Sequence, residues 1–334
     1  MKEASRGVKI AFTVIGVLVF LLSFIFAFLN NVPVGFEQGN STVNAAGDIF
    51  INTIADLDVR YPVTVVPPAY VLVVIWPLIY FWNLIGAAYL VASLFLSNEK
   101  SPVLREPALF PIGSLVFWSL SFGFPLAWLF AFDREILWLS LFLIMAGAWS
   151  IYATLGFSYA SYYKDILVLE EHNSTMLWLV RIIFHNGLGI FATWLTIGWK
   201  LTLQTTIAYK DGAGDQYPAD FRGSLTPEDA GTISFSILLF EIMLWFVLEN
   251  FVFEPYCRYT VTIYPTLIFA LSSTFSNDYV VPYSRNLIIT LVGLILSILA
   301  FLARVVLVYF RHKNRPQMEN FRSKKEEVVE MENI

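Results

Sequence analysis

Long apolar runs separated by short polar segments form the main pattern of this chain. Several runs reach the roughly 20 residues that an α-helix needs to span the hydrocarbon core of a bilayer. We therefore predict an all-α, polytopic membrane helical bundle. Eight runs are predicted as membrane spans: residues 10–29, 67–95, 109–132, 136–162, 176–203, 232–253, 260–276 and 286–310. The seventh run is short and contains Pro265, so whether it crosses the membrane fully stays open.

Polar segments divide these spans into two groups. Residues 210–230 form an acidic stretch that is rich in Gly, Pro and Asp and has no helical period. We predict a five-span bundle at residues 1–209, an extramembrane loop at 210–230 and three further transmembrane helices at 231–310. A mobile charged tail is predicted at 311–334. The last three spans are expected to pack on the outside of the first five.

Charges near the chain ends predict the orientation in the membrane. Lys2, Arg6 and Lys9 precede the first run, which is longer than a signal-peptide core, so we predict an uncleaved span and a cytosolic N-terminus. Eight spans then return the C-terminus to the cytosol. In this topology the sequon at Asn40 lies across the membrane and can be glycosylated, whereas the sequon at Asn173 stays unmodified.

Composition narrows the classes of function. Hydrophobic residues make up 57% of the 334 residues and charged residues 14%, a balance that is too apolar for a soluble domain. One cysteine and three widely separated histidines predict no disulfide, no metal site and no cofactor. We find no basic aromatic surface, no glycine-rich phosphate loop and no nucleophile with a supporting histidine and carboxylate. The sequence therefore predicts neither a nucleic-acid partner nor an enzyme.

Ionisable residues inside the predicted spans are the strongest signal for mechanism, because a charge in the bilayer normally faces a cavity or a partner. Arg181 and His185 lie one turn apart on the fifth span, and Glu241 and Glu249 lie on the sixth. Similar depths predict a pair of His185 with Glu241 or of Arg181 with Glu249, but straight helices allow only one of the two. Such a pair is either a structural tie or part of a ligand or proton site.

Two further charged groups are expected to stay in contact with water. Arg304 lies close enough to the cytosolic end of the last span for its side chain to snorkel, so it needs no protein partner. The adjacent residues Asp133, Arg134 and Glu135 follow the third span and are predicted to form a solvated turn.

Three aromatic motifs occur in order along the first five spans. The second span opens with Pro-Pro-x-Tyr at residues 67–70 and continues with Trp-x-x-Ile-Tyr at 76–80. The third span contains Ala127-Trp128, and the fifth contains Phe191-Ala192-Thr193. In these motifs and their order, residues 8–205 resemble the translocator protein, or tryptophan-rich sensory protein, family, in a long animal-type branch with additional C-terminal helices.

The resemblance implies a five-helix core whose internal pocket binds a tetrapyrrole such as protoporphyrin, or a sterol. It also implies that Tyr70, Trp76, Tyr80, Trp128 and Phe191 line this pocket. The sequence departs from the family at Tyr70, where Trp is usual, and after Trp128, where Leu-Phe replaces Ser-Pro. From the residues alone, Trp76 and Tyr80 share one helix face and serve either helix packing or ligand contact.

Two functions from different classes are compatible with these features. The first is an integral membrane protein that binds or translocates a porphyrin- or sterol-class ligand, with Arg181 and His185 as additional ligand contacts. The second is a secondary transporter or proton-coupled carrier that uses His185, Arg181 and Glu241. The expected partners are the lipid bilayer and a hydrophobic small molecule, and a homo-oligomer is compatible with the sequence.

Overall fold

The computed structural model describes residues 4–31, 49–210, 225–278 and 284–314. These residues form helices and short connections with no strand among them, which confirms the predicted all-α bundle. The sequon at Asn40, most of the acidic loop and most of the charged tail lie outside the described residues. The helices are α1 Arg6–Asn31, α2 Ile54–Arg60, α3 Ala69–Ser93, α4 Ile112–Asp133, α5 Leu137–Lys164, α6 Ile166–His172, α7 Ser174–Leu179, α8 Gly187–Tyr209, α9 Pro227–Val247, α10 Glu254–Cys257, α11 Ile263–Asp278 and α12 Arg285–Asn314.

Seven helical segments of the described chain are long and apolar enough to cross a membrane, so this is a multi-pass membrane protein. They correspond to seven of the eight predicted runs. The remaining run forms α11, whose 16 residues extend about 24 Å at 1.5 Å per residue, less than a hydrocarbon core of about 30 Å. Even so, α11 joins the two ends of the bundle. Thr262 at its start donates to the Asn186 carbonyl at 2.8 Å, and Asn277 near its end donates to the Val66 carbonyl at 3.1 Å.

The long helices run up and down between these two ends. One end of the bundle carries the start of α1 and the last turn of α12, and we call it the terminal end. Here Lys9 Nζ lies 3.5 Å from the Arg105 carbonyl, and His312 Nδ1 lies 2.9 Å from the Tyr259 hydroxyl. Both described chain ends therefore lie at the same end of the bundle. The opposite end carries a segment that crosses the bundle before α3, residues 49–68, which we call the strap.

The centre of the bundle is α8, which packs against α3, α5, α9 and α11. Small residues permit this close packing. A Cβ atom on Gly187 would lie 2.5 Å from Cδ1 of Trp82, and one on Gly189 would lie 2.8 Å from Oγ1 of Thr262. Helices in lipid associate through such close van der Waals contact, because burial away from water supplies little force between them.

Two spans contain π-helical segments at three of the four ionisable residues that the sequence singled out, Arg181, His185 and Glu249. Val180–Asn186 joins α7 to α8 and contains Arg181 and His185, and Leu248–Val252 extends α9 and contains Glu249. A π-helical turn shifts the direction of neighbouring side chains relative to a regular α-helix, and such turns are frequent at functional sites. Depth estimates based on straight α-helices therefore misplace these side chains.

The prediction of a solvated turn after the third span is wrong for Asp133. Its side chain is buried, and Oδ1 accepts hydrogen bonds from the backbone N–H groups of Ile51 and Asn52 at 2.8 and 2.7 Å. Glu135 accepts a hydrogen bond from the Tyr61 hydroxyl. The strap crosses this corner and brings backbone donors to it, which adjacency in sequence does not reveal. These contacts hold the strap over the end of the bundle.

Candidate functional site

An aromatic cavity lies between α1, α3 and α4, beneath the strap. Trp76 and Tyr80 come from α3, and Trp128 comes from α4. The structure thus places three of the predicted pocket residues around one cavity. The described residues that line it are all uncharged: Ser23, Ala27, Ile54, Trp76, Tyr80, Pro125, Leu126, Trp128 and Leu129.

Ring contacts and one pair of hydroxyl groups hold the cavity wall. The Tyr80 ring stacks against Trp76 and Phe24, with centroid distances of 5.8 and 5.2 Å. The Tyr80 hydroxyl lies 3.0 Å from Ser23 Oγ on α1. Trp128 Nε1 is buried and has no hydrogen-bond partner among the described residues. The wall therefore contains one buried hydrogen-bond donor that an acceptor would stabilise.

The cavity is small in this structure. Its volume is about 20 Å³, which is room for about one water molecule. Pockets for drug-sized ligands enclose roughly 300–1,000 Å³. The site can therefore hold a tetrapyrrole or a sterol only after the helices or the strap around it move apart.

The other two aromatic pocket candidates lie outside this cavity. Phe191 is fully buried and stacks on Phe122 with a centroid distance of 4.6 Å, and Phe122 lies 6.3 Å from Tyr80. Phe191 thus packs behind Tyr80 of the cavity wall, through Phe122, and does not line the cavity itself. Tyr70, in the first turn of α3, is 60% exposed and does not line the cavity.

Arg181 is buried among aromatic rings near the terminal end. Its guanidinium carbon lies 4.6 Å from the ring centroid of Trp178 and 4.1 Å from that of Tyr259, and Nε donates to the Tyr162 hydroxyl. Nη2 lies 3.6 Å from a Glu170 carboxylate oxygen. The charge is therefore stabilised by cation–π contacts and by a carboxylate of α6, a short helix that the hydrophobic pattern did not predict.

Glu249, the predicted partner of Arg181, pairs instead with Arg304. Nε of Arg304 lies 3.0 Å from Oε1 of Glu249, and both side chains are 1% exposed. The Tyr264 hydroxyl donates to the other carboxylate oxygen at 2.7 Å, and Arg304 also donates to two carbonyls at the end of α10. The prediction that Arg304 snorkels is therefore wrong, because α12 continues for about 15 Å beyond it.

The predicted pair of His185 with Glu241 is also wrong. His185 Nε2 lies 3.0 Å from Ser158 Oγ on α5. Glu241 accepts a hydrogen bond from Lys200 on α8, and Lys200 is completely buried. The reason is that α9 packs along the strap half of α8, where Ser234 donates to the Lys200 carbonyl.

Sequence reasoning missed Lys200 although a signal was present. It is the one lysine within the fifth predicted run, residues 176–203, and a lysine at that depth requires a partner. A search for acidic residues on the neighbouring span would have found Glu241. The structure thus separates Arg181 and His185, near the terminal end, from the Lys200–Glu241 pair, about four turns further along the same span.

Asp58 on α2 is a titratable group of the strap with a perturbed pKa. Burial raises its pKa from 3.8 to about 7. The start of α2 is fixed by a capping box, in which the Thr53 side chain accepts from the Asp56 N–H at 3.1 Å and Asp56 accepts from the Thr53 N–H at 2.8 Å. Asp58 and Ile54 belong to the same short helix, and Ile54 lines the cavity. A change in the charge of Asp58 therefore affects the helix that covers the cavity.

No protein-family model, curated protein or solved structure matches this chain. The structure separates an uncharged aromatic cavity beneath the strap from the ion pairs Lys200–Glu241 and Arg304–Glu249, which connect α8, α9 and α12. In the part of the chain that the structure describes, no group of three or more His, Cys, Asp or Glu side chains is placed to hold a metal ion. The aromatic cavity is the enclosed space of the described chain at which three of the predicted ligand contacts, Trp76, Tyr80 and Trp128, meet.

Proposed function

We propose that this protein binds a hydrophobic ligand within the membrane, in the aromatic cavity beneath the strap. The convergence of Trp76, Tyr80 and Trp128 from two helices on one cavity is the observation that carries this proposal. The resemblance of the first five spans to the translocator protein family supports it, since those three residues are motif positions of that family.

The chemistry of the wall favours a neutral ligand of the sterol class over a tetrapyrrole. A tetrapyrrole such as protoporphyrin carries propionate groups, and burying a carboxylate without a cation is strongly unfavourable. Arg181 and His185, which the sequence suggested as ligand contacts, lie near the terminal end and do not line the cavity. A sterol has a single oxygen function, which can accept the hydrogen bond that the Trp128 N–H offers.

Ligand binding requires the cavity to enlarge from about 20 Å³ to several hundred. Two covering elements are suited to move. The first is the strap, which donates two backbone hydrogen bonds to Asp133. The second is α1, a peripheral helix with many apolar side chains exposed to lipid. In this proposal the ligand reaches the cavity from the bilayer as these two elements separate from α3 and α4.

Energy transfer from tryptophan to a fluorescent sterol tests this function in the purified full-length protein. We expect saturable transfer to dehydroergosterol, weakened about tenfold by Trp128→Phe, which keeps an aromatic ring but removes the hydrogen-bond donor. Trp138→Phe is the matched control, because Trp138 is 55% exposed and lies outside the cavity lining. Quenching by protoporphyrin with no transfer to the sterol would reject the sterol class, and no response to either ligand would reject the site.

A proton-coupled carrier is the second candidate, and the Lys200–Glu241 pair inside the membrane is the observation that favours it. The sequence suggested a carrier that uses His185, Arg181 and Glu241 together, but Glu241 lies far from the other two residues in the structure. Reconstitution into vesicles that contain a pH-sensitive dye distinguishes the two functions. A carrier would acidify or alkalinise the lumen when substrate is added, and Glu241→Gln would abolish that change.

A further inference from the structure

The ion pair between Lys200 and Glu241 lies near the middle of the membrane. Glu241 is 14 residues from the start and 11 residues from the end of the span Pro227–Val252, or about 21 Å and 17 Å at 1.5 Å per residue. Lys200 is completely buried on α8 and directs its ammonium group to Oε2 of Glu241. Both charges of the pair are therefore far from either membrane surface.

Glu241 is nevertheless open toward the lipid. Its side chain is 33% exposed, and its second oxygen, Oε1, has no partner among the described residues. Tyr152 on α5 interacts electrostatically with the Glu241 carboxylate, is 44% exposed, and shares a hydrogen bond with the Thr196 hydroxyl on α8. We call Tyr152, Thr196, Lys200 and Glu241 the lateral polar cluster. Polar groups of this kind, facing hydrocarbon at mid-membrane, are unfavourable unless something covers them.

The surface of α5 next to Tyr152 has open space at one glycine. Gly156 lies one turn from Tyr152 on α5, it is exposed, and a Cβ atom built on it would have no heavy atom within 4 Å. Trp149, two turns before Gly156 on the same side of α5, is large and exposed. A partner helix about 10 Å in diameter needs a run of small residues to pack closely. A gap at a single glycine suits an alkyl chain or a flat ring instead.

The charges indicate which polar group the occupant carries. Lys200 and Glu241 already neutralise each other, so an occupant with an ammonium group would leave a net positive charge in hydrocarbon. A hydroxyl group adds no charge and donates the one hydrogen bond that Glu241 Oε1 lacks. A neutral hydrogen-bond donor, as a hydroxyl is, therefore matches the open carboxylate oxygen of Glu241.

We propose that the groove between α5 and α9, with α8 as its floor, binds a neutral lipophilic alcohol from the bilayer through Glu241 Oε1. This site is distinct from the aromatic cavity. Trp194, which packs against Trp76 of the cavity wall, and Thr196 of the lateral polar cluster are two residues apart on α8 and therefore point to nearly opposite sides. The two sites can be disabled separately.

Photolabelling of the full-length protein in lipid nanodiscs tests the proposal with three probes of equal chain length. Each carries a diazirine on its chain, and the probes end in a hydroxyl, an ammonium or a methyl group. We expect the alcohol to label α5 and α9 around Gly156 and Trp245 in a manner that unlabelled long-chain alcohol prevents. Labelling by the methyl probe should be about tenfold weaker, as expected for the loss of one hydrogen bond to a charged group.

Two variants keep the experiment informative if one fails to fold. Lys200→Met combined with Glu241→Leu removes both charges together, which avoids an unpaired buried charge, and should reduce alcohol labelling about tenfold. Gly156→Leu fills the gap without altering the lateral polar cluster and should block labelling. Gly7→Leu is its control, because Gly7 also has open space around it but lies at the start of α1.

Four results would overturn the proposal. Equal labelling by the alcohol and methyl probes, or unchanged labelling in the double variant, would make the groove an ordinary lipid-facing surface. Stronger labelling by the ammonium probe would contradict the charge argument. Protection from all three probes in native membranes, followed by labelling after purification, would mean that another polypeptide covers the groove. The sterol test of the aromatic cavity stays distinguishable, because Trp128→Phe alters the cavity alone, whereas Gly156→Leu alters the groove alone.

Discussion

At the residue scale, the charged side chains of this bundle form pairs that bring together distant parts of the chain. Glu249 and Arg304 are both nearly inaccessible, and Lys200 is buried completely against a partly open Glu241. Sequence reasoning identified the two glutamates as members of intramembrane pairs but assigned the wrong cations. The depth of a residue in the membrane does not show how its helix is rotated about its own axis. Two charged side chains at the same depth cannot form a pair if they point to different sides of their helices.

The pair of Arg304 with Glu249 should be one of the main structural ties of the last three spans. We expect Arg304→Leu to destabilise the protein by roughly 3–5 kcal/mol, because Glu249 is then left buried without a cation. Adding Glu249→Leu should restore most of the loss. Thermal unfolding in detergent measures both effects. The control is Arg285→Leu, since the Arg285–Asp229 pair is exposed and such pairs contribute about 0–1 kcal/mol. Equal effects of the two arginine variants would contradict the structural role.

Asp58 should make stability depend on pH. Burial raises its pKa in the folded protein from 3.8 to about 7, so folding favours the protonated form. Its contribution is therefore fully present below the unfolded-state pKa and is lost as the pH rises through about 7. We expect the melting temperature to fall between about pH 4 and pH 7 and to change little through Asp58 above that range, and Asp58→Asn to reduce the fall. Glu99→Gln, at the terminal end, should leave the profile unchanged. A profile equally steep in both variants would assign the dependence to other groups.

At the element scale, hydrophobic run length predicted eight spans, and seven of them form helices in the described chain that are long enough to cross the membrane. Run length could not show the π-helical segments Val180–Asn186 and Leu248–Val252, which have no distinct hydrophobic pattern. It also could not show the strap, whose position depends on hydrogen bonds that Asp133 accepts from backbone N–H groups 81 and 82 residues earlier. The aromatic motifs did place Trp76, Tyr80 and Trp128 together, whereas Tyr70 lies outside the cavity.

The strap should loosen when Asp133 loses its carboxylate. Asp133→Leu removes the acceptor for the N–H groups of Ile51 and Asn52, so we expect hydrogen exchange at those two amides to accelerate about tenfold or more. If the strap covers the ligand cavity as proposed, association of dehydroergosterol should also become faster. Glu106→Leu, an exposed position at the terminal end, is the control for the added leucine. Unchanged exchange at both amides would show that other contacts hold the strap.

At the scale of the whole molecule, α11 decides the arrangement of the chain. Although it has only 16 residues, its contacts at both ends of the bundle bring the end of α12 back to the end where α1 starts. That arrangement agrees with an even number of crossings. Lys9 and Arg105 near α1 and Arg311 and Lys313 at the end of α12 lie at this terminal end. Positive charge favours the cytosolic side, so the cytosolic orientation of both chain ends stays our prediction.

Glycosylation mapping measures this orientation. Asn173 lies at the terminal end, where its side chain accepts a hydrogen bond from the Met176 N–H and caps α7. We expect Asn173 to remain unmodified in a eukaryotic membrane, because that end faces the cytosol. The matched position is an acceptor sequon inserted beside Pro62 of the strap, at the opposite end, which should be modified. Modification at Asn173 would invert the assignment of both ends.

The division into five and three spans predicts that the two parts can be made as separate chains. Residues 1–210 and 225–334, expressed together, should assemble, because the interface between them lies mainly along α8. The first fragment alone leaves Lys200 without Glu241 and exposes its ammonium group to lipid, which is unfavourable. We therefore expect Lys200→Met to increase the yield of the folded first fragment while it lowers the stability of the full chain, where Glu241 loses its partner. Lys164→Met, at an exposed position, should change neither. If the first fragment cannot be extracted folded even with Lys200→Met, the five-span unit does not exist as an independent part.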